Sequence, residues 1–205
     1  MPADGIAIGV LALQGNVVEH VRALEDVGAN AIPVKTRADL DTVAGLVIPG
    51  GESTTVMKLL ARFGLAEPIV ARVRAGMPLW GTCMGLIVAA HDVAGMPEQP
   101  TLDLLDVSVR RNAFGRQVNS SEVQLAIPVL GEQPFPAVFI RAPWIERAGP
   151  AVQTLAWLDG HGVLVRQGHI LGSSFHPEMS QDRRVHQYFL SMVASFAIGK
   201  QTTAA

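Results

Sequence analysis

Residues 77–93 read MPLWGTCMGLIVAAHDV, and this stretch decides how the rest of the chain is interpreted. Met77–Gly81 is a short apolar run that predicts a buried strand, and Met84–Val93 predicts a helix directly after it. Between them, Gly81-Thr82-Cys83-Met84-Gly85 matches the G-x-nucleophile-x-G turn, with cysteine as the nucleophile. Glycines on both sides remove side chains that would clash in so sharp a turn. The start of a helix also favours the thiolate, so the pattern predicts a reactive Cys83.

Strand and helix patterns alternate on the N-terminal side of this turn, which favours an α/β fold with a parallel sheet through residue 94. Short apolar runs predict strands at Ile6–Leu13, Ala31–Val34 and Leu46–Ile48. Helical spacing predicts one helix that ends at Gly28 and a second after Pro49-Gly50-Gly51, with Ser53 or Thr54 as its N-cap.

The C-terminal half has a different pattern, with short strands separated by turns. Strands are predicted at Val123–Val129, Val138–Ile140, Leu155–Leu158, Val163–Val165 and Ile170–Phe175, with turns at Asp159-Gly160 and Gln167-Gly168. Apolar residues from Val185 to Phe196 then recur at helical spacing. The prediction is one domain over residues 1–199, followed by a frayed tail over residues 200–205.

Composition excludes several classes of function. The formal net charge of the 205 residues is −2 without a basic patch, which argues against nucleic-acid binding. The apolar runs are too short to span a bilayer, and the N-terminus lacks the pattern of a secretion signal, so we expect a cytoplasmic protein. The single cysteine excludes an internal disulfide and a thiolate metal cluster.

A cysteine nucleophile that works through an acyl-enzyme needs a group that handles protons, commonly histidine. Of the six histidines, His176 alone follows an apolar strand and opens a His-Pro-Glu sequence. Open α/β sheets place their sites at such strand ends. Glu178 is suitably spaced to orient the imidazole and stabilise its charged form. The other five histidines, at positions 20, 91, 161, 169 and 186, are expected to be surface or structural residues, with His91 in the helix after the cysteine.

Acyl transfer also needs donors for the negative charge that develops on the carbonyl oxygen. The backbone N–H of Met84 is one candidate because it follows the nucleophile directly. Gly51 is the other, since its turn follows the third predicted strand and glycine lets the backbone approach a ligand closely.

The sequence resembles the class I (triad) glutamine amidotransferases and, among them, the glutaminase subunits of pyridoxal 5′-phosphate synthase. The similarity covers residues 6–190 and is carried by six segments: GVLALQG (9–15), PGGESTT (49–55), GTC (81–83), RNAFGRQ (111–117), FIRAP (139–143) and SFHPE (174–178). The cysteine turn and His-Pro-Glu are shared by many amidotransferases, whereas the second, fourth and fifth segments are more specific.

The resemblance implies the remaining expectations. The fold would be a flavodoxin-like three-layer sandwich with a mixed, mostly parallel central sheet. Cys83, His176 and Glu178 would form the catalytic triad, which hydrolyses L-glutamine to glutamate and ammonia. A separate, barrel-shaped synthase subunit would receive the ammonia, and no cofactor or metal is implied. The positions that would bind glutamine are Gly51, Glu52, Ser53, Arg111, Ile140 and Arg141.

The sequence departs from the family pattern in places, and other functions stay open. Met84 stands where the family has alanine, Asn16 replaces a common aspartate, and Ser121 lies in a stretch that differs from the usual Val-Asp-Ser-Phe-Glu. One alternative is a glutaminase that serves another synthase. A second is a redox-active cysteine protein on a similar fold, and a third is a catalytically silent binding subunit.

Overall fold

The computed structural model describes residues 5–111 and 120–203, with side chains described to residue 199. The strands of these ranges are β1 Ala7–Leu11, β2 Asn30–Val34, β3 Gly45–Ile48, β4 Leu79–Thr82, β5 Ala90–Val93, β6 Leu105–Arg110, β7 Ser120–Leu125, β8 Phe135–Ile140, β9 Trp144–Ala148, β10 Gln153–Leu158, β11 His161–Gln167 and β12 Ile170–Ser173. The α-helices are α1 Val17–Glu25, α2 Arg37–Asp41, α3 Ser53–Arg62, α4 Ala66–Arg74, α5 Met84–Ala89 and α6 Arg184–Thr203. Two short 3-10 helices cover Pro128–Leu130 and Pro177–Met179.

The strands form one large mixed sheet and a separate hairpin. Strand order in the large sheet is β2-β1-β3-β4-β12-β11-β9-β6-β5, with β10 paired to β11. The strands from β2 to β12 in this order are all parallel, which confirms the predicted mixed, mostly parallel sheet. The parallel pairs place the carboxyl ends of β1, β3, β4 and β12 at one edge. The segments that follow β3, β4 and β12, which carry Glu52, Cys83 and His176, therefore meet there.

Two apolar cores, one on each face of the sheet, make the three layers. One core joins the sheet to α3, α4 and α5 through residues such as Leu60, Ile69 and Leu86. The other joins it to α1, α6 and the β7–β8 hairpin through residues such as Leu24 and Phe189. Because both faces of β3 and β4 are covered, these strands are buried along their whole length rather than alternating between buried and exposed residues.

The chain leaves the helical state earlier after Cys83 than the sequence predicts. Helix α5 ends at Ala89, because Ala90 has extended backbone (φ −60°, ψ 160°) and begins β5 at the edge of the sheet. The prediction of a helix through Val93 is therefore wrong in its last four residues. His91 lies in a strand, not in a helix, and its exposed ring contacts Asp103 at 2.6 Å.

Three further differences have local causes. The N-cap of α3 is Glu52, not Ser53 or Thr54, because its carboxylate accepts the first free N–H groups of that helix. The predicted strand over residues 123–129 ends at Leu125 and is followed by a 3-10 helix. Helix α4 and strand β9 were not predicted, because α4 contains Pro68 and Ile145 is the one buried residue of β9.

Several expectations concern parts of the chain outside the described residues. The structure does not describe residues 1–4, 112–119 and 204–205, and residues 112–119 include most of the RNAFGRQ segment. Helix α6 runs to Thr203 and so includes the first four residues of the predicted tail. Among the described residues, no helix is both long enough and apolar enough to cross a membrane.

Candidate active site

Cys83 lies in the sharp turn between β4 and α5, with the strained backbone that the sequence predicts. Its φ is +49° and its ψ is −102°, a conformation that side chains rarely adopt. The flanking glycines are required sterically. A Cβ on Gly81 would lie 2.4 Å from the carbonyl oxygen of Gly85, and a Cβ on Gly85 would lie 1.9 Å from that of Ile48. The strained conformation of Cys83 is therefore maintained because the flanking glycines let neighbouring backbone pack directly against the turn.

The thiol of Cys83 is almost fully enclosed but borders a pocket. The residue is 8% exposed, its backbone N–H donates to the Ser173 carbonyl at 2.7 Å, and Sγ lies 3.9 Å from the Ile140 carbonyl oxygen. Because Ser173 ends β12, this backbone bond joins the cysteine turn to the strand that leads into His-Pro-Glu.

His176 lies just beyond β12, lines the same pocket as Cys83 and forms a hydrogen bond with Glu178. Its Nδ1 is 2.8 Å from Oε1 of Glu178, in a largely buried setting. Burial lowers the pKa of His176, but its interactions with Cys83 and Glu178 raise it, to about 10. An imidazole with this pKa carries a proton at neutral pH, so it can stabilise a thiolate and supply a proton to a leaving amine.

Glu178 is buried behind His176 and is held by groups from other elements. Burial raises the pKa of its carboxyl group, but His20 and the hydrogen bond from His176 hold that pKa well below its usual range. The side-chain amide of Asn16 donates to Oε1 at 2.9 Å, while Nε2 of His20 lies 3.2 Å from Oε2. The carboxylate therefore stays ionised although it is removed from water.

Asn16 and His20 both contact Glu178, and the sequence predicts neither contact. Asn16 occupies the N-cap position of α1 without capping that helix, because its amide is directed at Glu178. His20 was expected to be a surface or structural residue, yet it is fully buried beside the triad acid. One feature of the sequence indicates these contacts. Both residues follow β1, whose carboxyl end lies at the same sheet edge as those of β4 and β12.

A pocket of about 390 Å³ opens over the cysteine, within the usual range of small-molecule sites. Nine of the ten predicted site residues line it, and Glu178 lies behind them. The pocket-lining members are Gly51, Glu52, Ser53, Cys83, Met84, Arg111, Ile140, Arg141 and His176, together with Gln14, Gly15, Asn16, Gly50 and Ile87.

The charged groups of the pocket are already partly engaged with one another. Both carboxylate oxygens of Glu52 accept backbone N–H groups of α3, from Thr54 and Thr55. Burial raises the pKa of Glu52, but hydrogen bonds from Thr55 and Thr54 lower it to about 2. Arg111 lies 3.5 Å from Glu52, whereas Arg141 has no ion-pair partner among the described residues. Arg141 therefore presents the more available positive charge.

The Gly50-Gly51 turn approaches both the triad and the end of β1. A Cβ on Gly50 would lie 2.4 Å from Cε1 of His176, and one on Gly51 would lie 2.4 Å from Oε1 of Gln14. The Gly50 carbonyl accepts the backbone N–H of Asn16 at 3.1 Å. Because a trans peptide has its C=O and N–H on opposite sides, the N–H of Gly51 faces away from Asn16.

Comparison with known proteins gives a consistent result. The model of the SNO glutamine amidotransferase family matches residues 10–195. The chain is 50% identical over 186 residues to a protein of Moorella thermoacetica named pyridoxal 5′-phosphate synthase subunit PdxT, covering 91% of this chain and 98% of the relative. A protein of the same name from Acidothermus cellulolyticus is 52% identical over 203 residues, covering 96% and 98%.

Solved structures also match over most of the chain. A crystal structure described as that of a glutamine amidotransferase has a TM-score of 0.87 and 47% identity, covering 91% of this chain and 98% of its own. The structure of PurLQS from Thermotoga maritima has a TM-score of 0.64 at 18% identity, covering 92% and 98%, which shows a shared fold.

Proposed function

This chain belongs to the SNO glutamine amidotransferase family, and we propose that it is the glutaminase subunit of a pyridoxal 5′-phosphate synthase. It hydrolyses L-glutamine to glutamate and ammonia, and the ammonia passes to the synthase subunit. The observation that carries the proposal is the hydrogen-bonded pair of His176 and Glu178 next to Cys83, at a pocket of suitable size that both Cys83 and His176 line.

The geometry supports a thioester mechanism. The Cys83 thiolate attacks the side-chain amide carbon of glutamine, and the C–N bond breaks as His176 donates its proton to the departing ammonia. The neutral imidazole then takes a proton from water, whose oxygen attacks the thioester and releases glutamate and the thiolate. Glu178 holds the imidazole in the orientation that both steps need.

The backbone N–H groups of Gly51 and Met84 are the proposed donors to the tetrahedral oxyanion. Both residues line the pocket next to Cys83. Met84 is the first residue of α5, so its N–H precedes the hydrogen-bonded part of that helix. Its longer side chain, the departure from the family alanine, is 1% exposed and packs in the core.

Glutamine recognition is assigned to the polar rim of the pocket. Glu52 is ionised and can receive the α-ammonium group, while Ile140 offers its backbone carbonyl near Cys83. The hydroxyl of Ser53 is buried without a hydrogen-bond partner among the described residues, and Ser53 lines the pocket. A substrate group that bonds this hydroxyl would remove the cost of leaving it unpaired.

Arg141→Ala is expected to raise the KM for glutamine with a smaller effect on kcat, because the guanidinium is proposed to bind the α-carboxylate. Loss of a charge-assisted hydrogen bond typically weakens binding by about 10- to 100-fold. Steady-state glutaminase kinetics of the complex provide the measurement. Arg110→Ala is the matched control, since Arg110 pairs with Glu146 on the surface and is not part of the pocket lining. An unchanged KM in Arg141→Ala would refute the assignment.

Three alternative functions are less well supported. A glutaminase for another synthase would share the triad, but the curated relatives at 50–54% identity carry the name of the pyridoxal 5′-phosphate synthase subunit. A redox-active cysteine protein would have no use for a buried, hydrogen-bonded His176–Glu178 pair beside its cysteine. The same pair argues against a silent binding subunit.

Glutamine hydrolysis is expected to rise about 100-fold or more when the synthase subunit is added. The proposed reason is that docking near Gln14–Asn16 biases the Gly50-Gly51 peptide toward presenting its N–H to the substrate, and one such donor is typically worth 10²–10³ in rate. The backbone N–H of Asn16 already donates a hydrogen bond to the Gly50 carbonyl, so this segment can transmit the effect of docking to the Gly50-Gly51 peptide.

The measurement is ammonia release at saturating glutamine, with this chain alone and with its synthase. Synthase mixed with Cys83→Ala supplies the background rate. Equal rates with and without synthase would exclude gating while leaving the glutaminase assignment intact. No ammonia release in either mixture would refute the proposed function itself.

We also assign the protein to the cytoplasm. A catalytic thiol must stay reduced, and thiols persist in reducing compartments. Fractionation of cells followed by immunodetection tests this assignment, and recovery with the periplasmic or secreted fraction would contradict it.

A further inference from the structure

His20 is buried between the cysteine turn and the triad acid Glu178. It lies on α1, is fully buried, and packs the edge of its ring against Trp80 with ring centroids 5.5 Å apart. Its Nε2 is 3.1 Å from Oγ1 of Thr82 and 3.2 Å from Oε2 of Glu178. One nitrogen therefore faces both the residue before the nucleophile and the second oxygen of the triad acid.

The protons of this cluster can be assigned from their surroundings. Nδ1 of His20 is 3.3 Å from Nε2 of His186, which is also fully buried. Burial holds the pKa of His186 well below its usual range, so its ring is neutral. Nδ1 of His186 has no partner among the described residues, which is tolerable for a bare nitrogen but costly for a buried N–H.

His186 is thus best placed to donate from Nε2 to Nδ1 of His20. The remaining proton of His20 then resides on Nε2, where it forms a hydrogen bond with Thr82 Oγ1 and lies beside Glu178 Oε2, an oxygen without a hydrogen-bond partner among the described residues. The reverse tautomer would direct a lone pair at the carboxylate. The geometry accordingly favours one arrangement of protons along His186, His20 and Glu178.

We propose, on the basis of the glutaminase function above, that His20 is a positioning residue whose Nε2–H, bonded to Thr82, lies close enough to Glu178 to hold the carboxylate beneath His176 by electrostatic attraction. It acts from the side of the carboxylate opposite His176 and Asn16, both of which contact Oε1. Its bond to Thr82 also connects the triad acid to the cysteine turn. His186 sets the tautomer of His20 and does not touch the reacting groups.

Several charged or titratable groups face this cluster. They are Glu178 and His176 in the His-Pro-Glu segment, His186 on α6, Arg183 directly before α6, and Cys83 next to Thr82. Loss of the His20 N–H would remove the positive partial charge 3.2 Å from Oε2, an oxygen that already has no hydrogen-bond partner among the described residues. The carboxylate would be less stable as an anion, and the imidazolium–thiolate pair that depends on it would be weaker.

The test compares two buried polar replacements of different length. His20→Gln places an amide nitrogen at nearly the reach of Nε2, whereas His20→Asn is too short to meet Glu178. We expect His20→Asn to lower the kcat of the complex about 10- to 100-fold with little change in KM, and His20→Gln to restore most of it. Phe189→Leu is the control, a buried truncation against Trp80 that does not contact Glu178.

A second measurement does not depend on glutamine hydrolysis. The pH dependence of Cys83 alkylation should move to higher pH in His20→Asn, because a weaker imidazolium gives less support to the thiolate. It should stay at the wild-type position in His20→Gln and in Phe189→Leu. An alkylation profile in His20→Asn that matches both of these variants would overturn the proposal.

A third measurement uses the unaltered protein, in case His20→Asn does not fold. Imidazole ¹⁵N NMR should show His20 protonated at Nε2 and His186 protonated at Nε2. A bare Nε2 on His20 would overturn the proposal. Absence of glutamine hydrolysis by the wild-type complex would instead refute the glutaminase function, since the alkylation and NMR results do not require that activity.

Discussion

Cys83→Ala is expected to abolish glutamine-dependent ammonia release, with a loss on the order of 10⁶-fold by analogy with other triad nucleophiles. The variant removes the atom that forms the thioester, and no second thiol can replace it because the chain has one cysteine. Ammonia release by the variant in complex with the synthase is the direct measurement. Wild-type turnover in Cys83→Ala would disprove the nucleophile assignment.

The same variant gives an independent result in the isolated subunit. The pKa of His176, about 10 in the intact site, should fall in Cys83→Ala because the thiol that helps to raise it is gone. An NMR titration of the histidine ring follows this change. The single cysteine also makes labelling unambiguous, since any thiol-directed, glutamine-like electrophile in the wild-type protein reports on Cys83. An unchanged titration of His176 would show that the two groups are not coupled.

The cysteine turn could be predicted from the sequence because its cause is local. A strand, a nucleophile between glycines and a helix lie within 17 residues, and the glycines are needed for contacts with nearby backbone. His176 and Glu178 could be predicted for a related reason, since they follow a buried strand directly. The resemblance to a family then supplied the pocket residues, which come from segments far apart in the chain.

The surroundings of Glu178 could not be predicted, because they depend on contacts across the fold. Asn16 and Glu178 are 162 positions apart, and His20 and His186 are 166 apart. His20 and His186 look like ordinary helix residues, and Asn16 like an ordinary helix N-cap, when only their neighbours in sequence are considered. They meet because β1, β4 and β12 are near one another in the sheet and direct their carboxyl ends to one edge.

The early end of α5 has a similar origin. Residues 84–93 are apolar enough for one continuous helix, and the sequence contains no glycine or proline between Leu86 and Val93 to stop it. The chain becomes extended at Ala90 because pairing with β6 satisfies its backbone at the sheet edge. Tertiary pairing, rather than local propensity, decides this boundary.

His176→Asn is expected to reduce glutamine hydrolysis nearly as much as loss of the nucleophile, on the order of 10⁶-fold. Asparagine cannot take up or release the proton that the departing ammonia and the attacking water require. Steady-state kinetics with the synthase present measure the effect. A melting curve controls for folding, because the introduced amide would still be able to face Glu178 and the buried carboxylate would keep a donor.

Glu178→Gln should be the milder change, with a loss of about 10⁴-fold. The glutamine side chain can still accept a hydrogen bond from His176 through its oxygen, but its amide group then faces His20, where the carboxylate oxygen was. The imidazole is retained but loses the negative charge that helps to keep it protonated. The order of effects therefore distinguishes a triad from a simple pair. The His176 variant must lose more glutamine hydrolysis than the Glu178 variant, and both must lose far more than the Phe189→Leu control. Equal, wild-type rates in both triad variants would exclude this mechanism.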